Sequence, residues 1–286
     1  MSEVFKIAFA KFHGLSNDFV IARSGGLPSS LPDLARAICD RHTGIGADGL
    51  LIVSPPRRKQ HDARVRFFNA DGSEAEMSGN GIRCAGAFLL NGDKSKRNLT
   101  IETAAGLKSL RCVASGAGKW MFRVGMGRPI LAPGKIPFRG ARGERPVVGY
   151  RLHTHRGVLP VTVTSMGNPH CTVFVADFAA IDWARLGREI ETSALFPNRT
   201  NVEFVKVVSR QEISVRYWER GVGQTMSSGT GSCAAVVASI LNKRTARKVR
   251  VNTLAGSLEV VWPEKGEVTL TGPAVRIAEG TYHFTP

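Results

Sequence analysis

The chain contains one domain written twice. Phe68-Asn69 through Ser78-Gly79-Asn80-Gly81 recurs as Trp218-Glu219 through Ser228-Gly229-Thr230-Gly231, at an offset of 150 residues. The same offset carries Ile101-Glu102-Thr103-Ala104-Ala105-Gly106 onto Val251-Asn252-Thr253-Leu254-Ala255-Gly256, and an offset of 151 carries Leu15-Ser16-Asn17 onto Met166-Gly167-Asn168. Three correspondences in one order are not what chance produces. Two long copies also differ from a solenoid, which stacks three or more shorter units. The sequence therefore predicts an α+β protein of two pseudo-symmetric domains of one fold, with an active-site cleft between them. The domains are expected at 1–130, with 275–286 free to return to that half, and at 131–274.

Apolar runs mark strands at Leu50 to Val53, Val65 to Phe68, Val161 to Thr164 and Cys171 to Val175, while Phe5, Ile7 and Phe9 alternate as in an opening strand. Ile82 to Leu90 and Ser232 to Leu241 read as helices rich in Ala, Ile and Leu, and the Gly- and Pro-containing stretch Pro129 to Pro146 reads as the crossover between copies. Met1 to His13, interrupted by Glu3, Lys6 and Lys11, does not read as a signal peptide. The longest uncharged stretch, Gly221 to Asn242, has an apolar part of only Cys233 to Leu241, against the roughly 20 residues a bilayer crossing needs. A cytoplasmic protein without membrane contact is expected.

Lys and Arg number 39 against 23 acidic residues, a formal charge of +16. The bases are dispersed over Arg57-Arg58-Lys59, Lys94 to Arg97, Arg139 to Arg145 and Lys243 to Arg250, without interleaved aromatics. That argues for a solvated basic surface that also draws small anions, rather than a specific nucleic-acid site. The five cysteines, Cys39, Cys84, Cys112, Cys171 and Cys233, lack paired spacing and read as buried small hydrophobes, not as disulfides or a zinc site.

Both copies run a strand into a small-residue turn that opens a helix: Met77-Ser78-Gly79-Asn80-Gly81 and Ser227-Ser228-Gly229-Thr230-Gly231. Glycine lets backbone approach a ligand, and the free N–H groups of a first helical turn favour an anion. Ser78 and Ser228 also suit plain N-capping. Gly44-Ile45-Gly46-Ala47-Asp48-Gly49 fits G-x-G-x-x-G, but it precedes a strand instead of following one. With no Walker pattern and no metal-spaced His or Cys pair, neither nucleotide nor metal is expected.

These blocks resemble the diaminopimelate epimerase family, nearly end to end. The matching stretches are His13 to Phe19, Arg41 to Asp48, Phe68 to Glu74, Gly79 to Cys84, Met166 to His170, Asn201, Glu219-Arg220-Gly221 and Gly229-Thr230-Gly231. The resemblance implies racemisation of a small-molecule amino acid without cofactor or metal: one group removes the α-proton and another, on the opposite face, returns one. It implies that these groups stand at Ser78 and Ser228, with His170 and Glu219 modulating their protonation. It also implies that Asn17, Asn69, Asn168, Asn201 and Arg220 contact substrate, while the N–H groups of Gly79-Asn80 and Gly229-Thr230 hold its α-carboxylate. The residue types suit that chemistry. Arg220 offers a planar fork for a carboxylate, and Asn69 and Asn201 can each accept from an ammonium and donate to a carboxylate. A homodimer is compatible with the sequence.

In that family both acid/base positions are cysteine; here both are serine. A thiol near pKa 8.5 can be tuned to ionise at neutral pH, whereas a serine hydroxyl needs a neighbouring base. His170 is the candidate base for Ser78, and Glu219 for Ser228. Three readings follow: a Cys→Ser form that holds substrate unreacted, a homologue turned to dehydration or isomerisation of the hydroxyproline type, and a non-catalytic amino-acid-binding homologue.

Overall fold

The computed structural model describes residues 4–91 and 95–286; Met1 to Glu3 of the N-terminal reading and Lys94 of the second basic run lie outside them. The chain forms two compact units, Met1–Val124 with Gly272–Pro286, and Gly125–Thr271. The first contains β1 (Phe5–Gly14), β2 (Asn17–Arg23), α1 (Leu31–Cys39), β3 (Gly49–Ser54), β4 (Ala63–Asn69), β5 (Glu74–Ala75), α2 (Gly79–Leu90), β6 (Asn98–Thr103), β7 (Gly106–Gly116) and β8 (Lys119–Gly127), the last running into the second unit. After a short 3-10 turn at Pro133–Lys135 come β9 (Val147–Thr154), β10 (Gly157–Ser165), β11 (Pro169–Phe174), α3 (Trp183–Glu191), β12 (Asn201–Ser209), β13 (Glu212–Glu219), β14 (Gly223–Thr225), α4 (Gly229–Leu241), β15 (Lys248–Thr253), β16 (Gly256–Val261) and β17 (Val268–Phe284). The order β-β-α-β-β-β-α-β-β occurs once from β1 to β7 and again from β10 to β16. The repeat in the sequence is a repeat in the fold.

Pairing repeats as well. The β1–β2 and β10–β11 pairs are antiparallel, β2–β3 and β11–β12 parallel, β3–β4 and β12–β13 antiparallel, and β4–β6 and β13–β15 parallel. Strand β17 serves the units in turn: Thr269 to Thr271 pair with β16, and Val275 to Phe284 pair with β1. In the first unit β17 also meets β8, where Arg276 N–H donates to Gly118 O at 2.9 Å, which closes eight strands around α2. A helix in that place is buried on most sides, and apart from the hydrogen-bonded Asn80 and Arg83 it fills them with small or apolar residues. Ile82, Cys84, Ala85, Gly86 and Ala87 are buried, and a Cβ on Gly86 would lie 3.0 Å from Leu110 Cδ2. Helix α4 has the same character, with Cys233 to Ser239 buried.

Outside the strands, α1 lays Leu34, Ala35, Ile38 and Cys39 onto a core with Ile7, Val20, Leu50 and Phe68. Nine residues are too few for a stable helix alone. Burial of side chains such as Leu34 and Ile38, about 1.5–3 kcal/mol each, is what holds it. The glycine-rich run terminates this helix: Ile45 and Gly46 N–H donate to Ile38 O and Ala47 N–H to Cys39 O, with Gly46 at φ +73. A Cβ on Gly44 would fall 2.2 Å from Ala37 O, so its glycines serve a helix C-terminus and the entry to β3. All five cysteines are free and buried, and burial pushes the Cys39 and Cys84 thiols up to about 12.

One ion pair gives the first unit a pH-dependent joint. Glu102 on β6 lies 2.7 Å from His61 Nδ1 and accepts from Arg57 and Arg58 N–H at 3.0 and 3.1 Å. The hydrogen bond from His61, then those backbone donors, lower its carboxyl to about 2. A depressed carboxyl contributes stability above its unfolded value of about 4.3 and loses it as pH falls toward 2. Urea midpoints of the parent should therefore exceed those of Glu102→Gln at pH 6, and the two should converge between pH 4 and pH 2. A constant difference across that range would refute the assignment.

Candidate active site

The two small-residue turns adopt one geometry. Ser78 (φ −124, ψ 128) caps α2 by accepting from Gly81 N–H at 3.1 Å; Ser228 (φ −129, ψ 128) caps α4 by accepting from Gly231 N–H at 3.3 Å. The capping reading is therefore correct for both serines, and it leaves each hydroxyl a proton to donate. The helices begin at Gly79 and Gly229, earlier than the apolar runs at Ile82 and Ser232 indicate, because the cap draws the small residues into the first turn. The N–H groups of Gly79, Asn80, Gly229 and Thr230 thus belong to first turns, where the helical ladder provides no acceptor. They stand at the positive ends of the helix dipoles.

What surrounds the serines differs between the copies. In the second unit Ser228 Oγ donates to Glu219 Oε2 at 3.0 Å, a hydroxyl against a carboxylate. His170 is fully buried on β11, its Nδ1 2.6 Å from Glu203 Oε1 and its Nε2 2.9 Å from Asn168 Oδ1. Burial pushes the Glu203 carboxyl up, against the lowering effect of His170. At the repeat-related positions the first unit has Asn69 for Glu219 and Phe19 for His170, and the matching register of β2–β3 and β11–β12 sets Leu51 in the place of Glu203. Two of these are plain core residues, Phe19 and Leu51. Ser78 therefore has no carboxylate at the position matching Glu219; Asn69 instead donates through Nδ2 to Ser73 Oγ at 2.9 Å.

The other candidates fall into two groups. In the first unit Asn17 and Asn80 meet, Asn80 Nδ2 donating to Asn17 Oδ1 at 3.3 Å, and Asn17 Nδ2 donates in turn to Asp48 Oδ2 at 2.8 Å. Exposed Asn69 is not bonded to this pair. In the second unit Asn201 Nδ2 donates to Pro169 O at 2.9 Å, and its Oδ1 accepts Arg220 N–H at 3.0 Å, which joins β12 to the turn after β13. The exposed Arg220 guanidinium donates to Asn198 O at 3.2 Å and keeps donors for a ligand.

Sequence reasoning missed three supports. Glu191, at the end of α3, accepts from Trp218 Nε1 at 2.6 Å and Gly221 N–H at 2.8 Å, so it grips the turn that holds Glu219 and Arg220. Arg83, fully buried, donates to Gly79 O at 2.7 Å and Asn80 Oδ1 at 2.6 Å and fixes the first turn of α2. Glu203 is the third. Of these, Glu203 could have been found by reading the copies column by column for places where an apolar residue becomes ionisable.

The diaminopimelate epimerase family model matches residues 9–132 and 162–277, one segment in each copy. The diaminopimelate epimerase of Pelotomaculum thermopropionicum is 44% identical over 280 residues, covering 96% of this chain and 99% of the relative. That of Desulfitobacterium hafniense is 46% identical over 275 residues, covering 94% and 96%. Among solved structures, a hydroxyproline epimerase from Agrobacterium vitis aligns with TM-score 0.68 at 13% identity, over 100% of this chain and 95% of the other. A methylitaconate-delta-isomerase aligns with TM-score 0.67 at 17% identity, over 98% and 99%. At such identities the structures share the fold alone, but the sequence matches reach further: the chain belongs to the diaminopimelate epimerase family of isomerases.

Proposed function

We propose that this chain handles the α-proton of diaminopimelate as a cofactor-independent epimerase, LL to meso, in lysine and peptidoglycan-precursor synthesis, and that its two serines make it a slow one. The observation that carries the reading is the Ser228–Glu219 pair, a hydroxyl in hydrogen-bond contact with a base at a helix N-terminus. Substrate carboxylate would rest on the N–H groups of Gly79, Asn80, Gly229 and Thr230, while Arg220 and the asparagines sort the second amino-acid head. Ser78 and Ser228 would act on one α-carbon from opposite faces, as inversion demands. A cytoplasmic setting fits the free cysteines; among the described residues no helix is long and apolar enough to cross a membrane.

The acid–base gap sets the expected rate. A thiol has an ordinary value of about 8.5, whereas a serine hydroxyl ionises far above it and needs a neighbouring base to act. Glu219 can share that burden only on its own side. Incubation with LL-diaminopimelate in heavy water, followed by NMR, should show α-deuterium entering slowly and more in retained than in inverted product. Turnover of hydroxyproline with no exchange on diaminopimelate would replace the proposal with a dehydratase. Tight binding of diaminopimelate with no exchange would leave a binding protein.

A further inference from the structure

His170 and Glu203 stand on neighbouring parallel strands, where His170 pairs with Asn201 and Thr172 with Glu203. Their side chains are 0% and 1% exposed, and Nδ1 and Oε1 are 2.6 Å apart. Glu203 Oε2 is buried with no hydrogen-bond partner among the described residues. The first copy fills the same two places with Phe19 and Leu51, so the fold accepts an apolar pair here. Sinking an acid and a base into a core carries a desolvation cost that their mutual attraction need not return. Stability alone would favour the arrangement of the first copy.

Helix α4 passes close to the pair, as α2 passes close to Phe19 in the first copy, where a Cβ on Gly81 would lie 3.3 Å from that ring. A Cβ on Gly231 would lie 3.1 Å from Glu203 Oε1 and 3.0 Å from Tyr217 Cδ1, so glycine there lets α4 pass close to the carboxyl. The titratable groups facing the pair are Glu219 and Tyr217 on β13 and Cys171 on β11. Glu219 adds a second acidic group to the same neighbourhood, which disfavours charge on Glu203 and increases the worth of a proton held between Glu203 and His170.

We infer that Glu203 is a positioning residue for His170: it holds the Nδ1 proton, fixes the ring and makes Nε2 the nitrogen that gives and takes a proton. With Asn168 Oδ1 accepting at 2.9 Å, Nε2 carries a proton and so does the Nδ1–Oε1 contact. When the Nε2 proton leaves, the other tautomer would set the Nδ1 lone pair against carboxyl lone pairs. The remaining proton therefore stays on Nδ1, and the electron pair left on Nε2 faces Asn168, whose amide can turn to donate to it. The next proton returns to the same atom, and no net change accumulates. The role rests on the reading of His170 as a proton-handling group in the proposed reaction.

The test uses the full-length protein with isotope-labelled histidine and follows the His170 ring nitrogens by NMR across pH, with His170→Phe to assign them. In the parent, the Nδ1 signal should stay at its protonated position throughout while Nε2 moves. In Glu203→Gln, which keeps the shape, and Glu203→Leu, which copies Leu51, both tautomers should appear and the fixed Nδ1 signal should be lost. Glu203→Leu alone strands the buried His170 Nδ1 and should melt below the parent, whereas the joint change His170→Phe with Glu203→Leu, which copies the first unit, should not. The α-proton exchange of Glu203→Gln should fall about 100-fold in kcat with KM little changed. An Nδ1 that titrates in the parent, or variants whose His170 tautomer is unchanged, would overturn the inference. A parent that shows the fixed Nδ1 but exchanges no α-proton would overturn the functional reading and leave the role of Glu203 in setting the tautomer intact.

Discussion

Joint replacement of Ser78 and Ser228 by cysteine is expected to raise epimerisation of LL-diaminopimelate at least about 1,000-fold, within the 10²–10⁴ span of a single competent acid or base. Each thiol would occupy an N-cap, where the dipole and the first-turn N–H groups stabilise a thiolate. Either single replacement should give a small part of the gain, because inversion needs a base on one face and an acid on the other. Of the two, Ser78→Cys should help more, since Ser228 already has Glu219 against its hydroxyl and Ser78 has no such carboxylate at the matching position. The gain has a structural cost of about 1 kcal/mol per helix, because sulfur accepts the Gly81 and Gly231 N–H bonds less well than oxygen. Steady-state racemisation assays and thermal melts of the parent, the singles and the double read both effects. A double variant that stays inactive on diaminopimelate while the parent turns over another substrate would show that the serines belong to a different chemistry.

The parts of this molecule legible in the sequence are those fixed by local chemistry repeated twice. A turn such as Ser78-Gly79-Asn80-Gly81 carries its own cap, and its echo at Ser228 states that the feature belongs to the fold. The glycine run Gly44 to Gly49 is legible for a related reason, since context alone separates a helix C-terminus from a phosphate loop. The supports were not legible, because they act across long separations: Glu191 to Trp218, Arg83 to Pro273 and Asn17 to Asp48 are pairings that no local pattern announces. Nor does sequence distinguish the working roles of the copies, although the columns Phe19/His170, Leu51/Glu203 and Asn69/Glu219 contain that information. One copy has an apolar interior behind its serine, and the other has the buried ionisable pair His170 and Glu203.

Arg83→Met should cost about 3–5 kcal/mol, one of the largest losses any single site in the first unit can produce. The Arg83 side chain is fully buried, and its Nε donates to Pro273 O at 3.1 Å while the two terminal nitrogens reach Gly79 O and Asn80 Oδ1. The backbone leaves it little space: a Cβ on Gly14 would sit 3.2 Å from one of those nitrogens. Methionine keeps an unbranched stem of similar reach and removes every donor, so Pro273 O, Gly79 O and Asn80 Oδ1 all lose the guanidinium at once. Lysine restores a charge but not the fork, and should recover less than half of the loss. Hydrogen exchange then separates the consequences. Protection should fall first in residues 275–284 of β17, which Pro273 anchors beside β1, and in the first turn of α2. Because Asn80 holds Asn17, affinity for diaminopimelate should drop about tenfold even where the fold survives. Exchange protection of β17 equal to the parent, together with a loss of less than about 1 kcal/mol, would mean that the strand is held by its ladder to β1 alone and that the arginine serves only the turn.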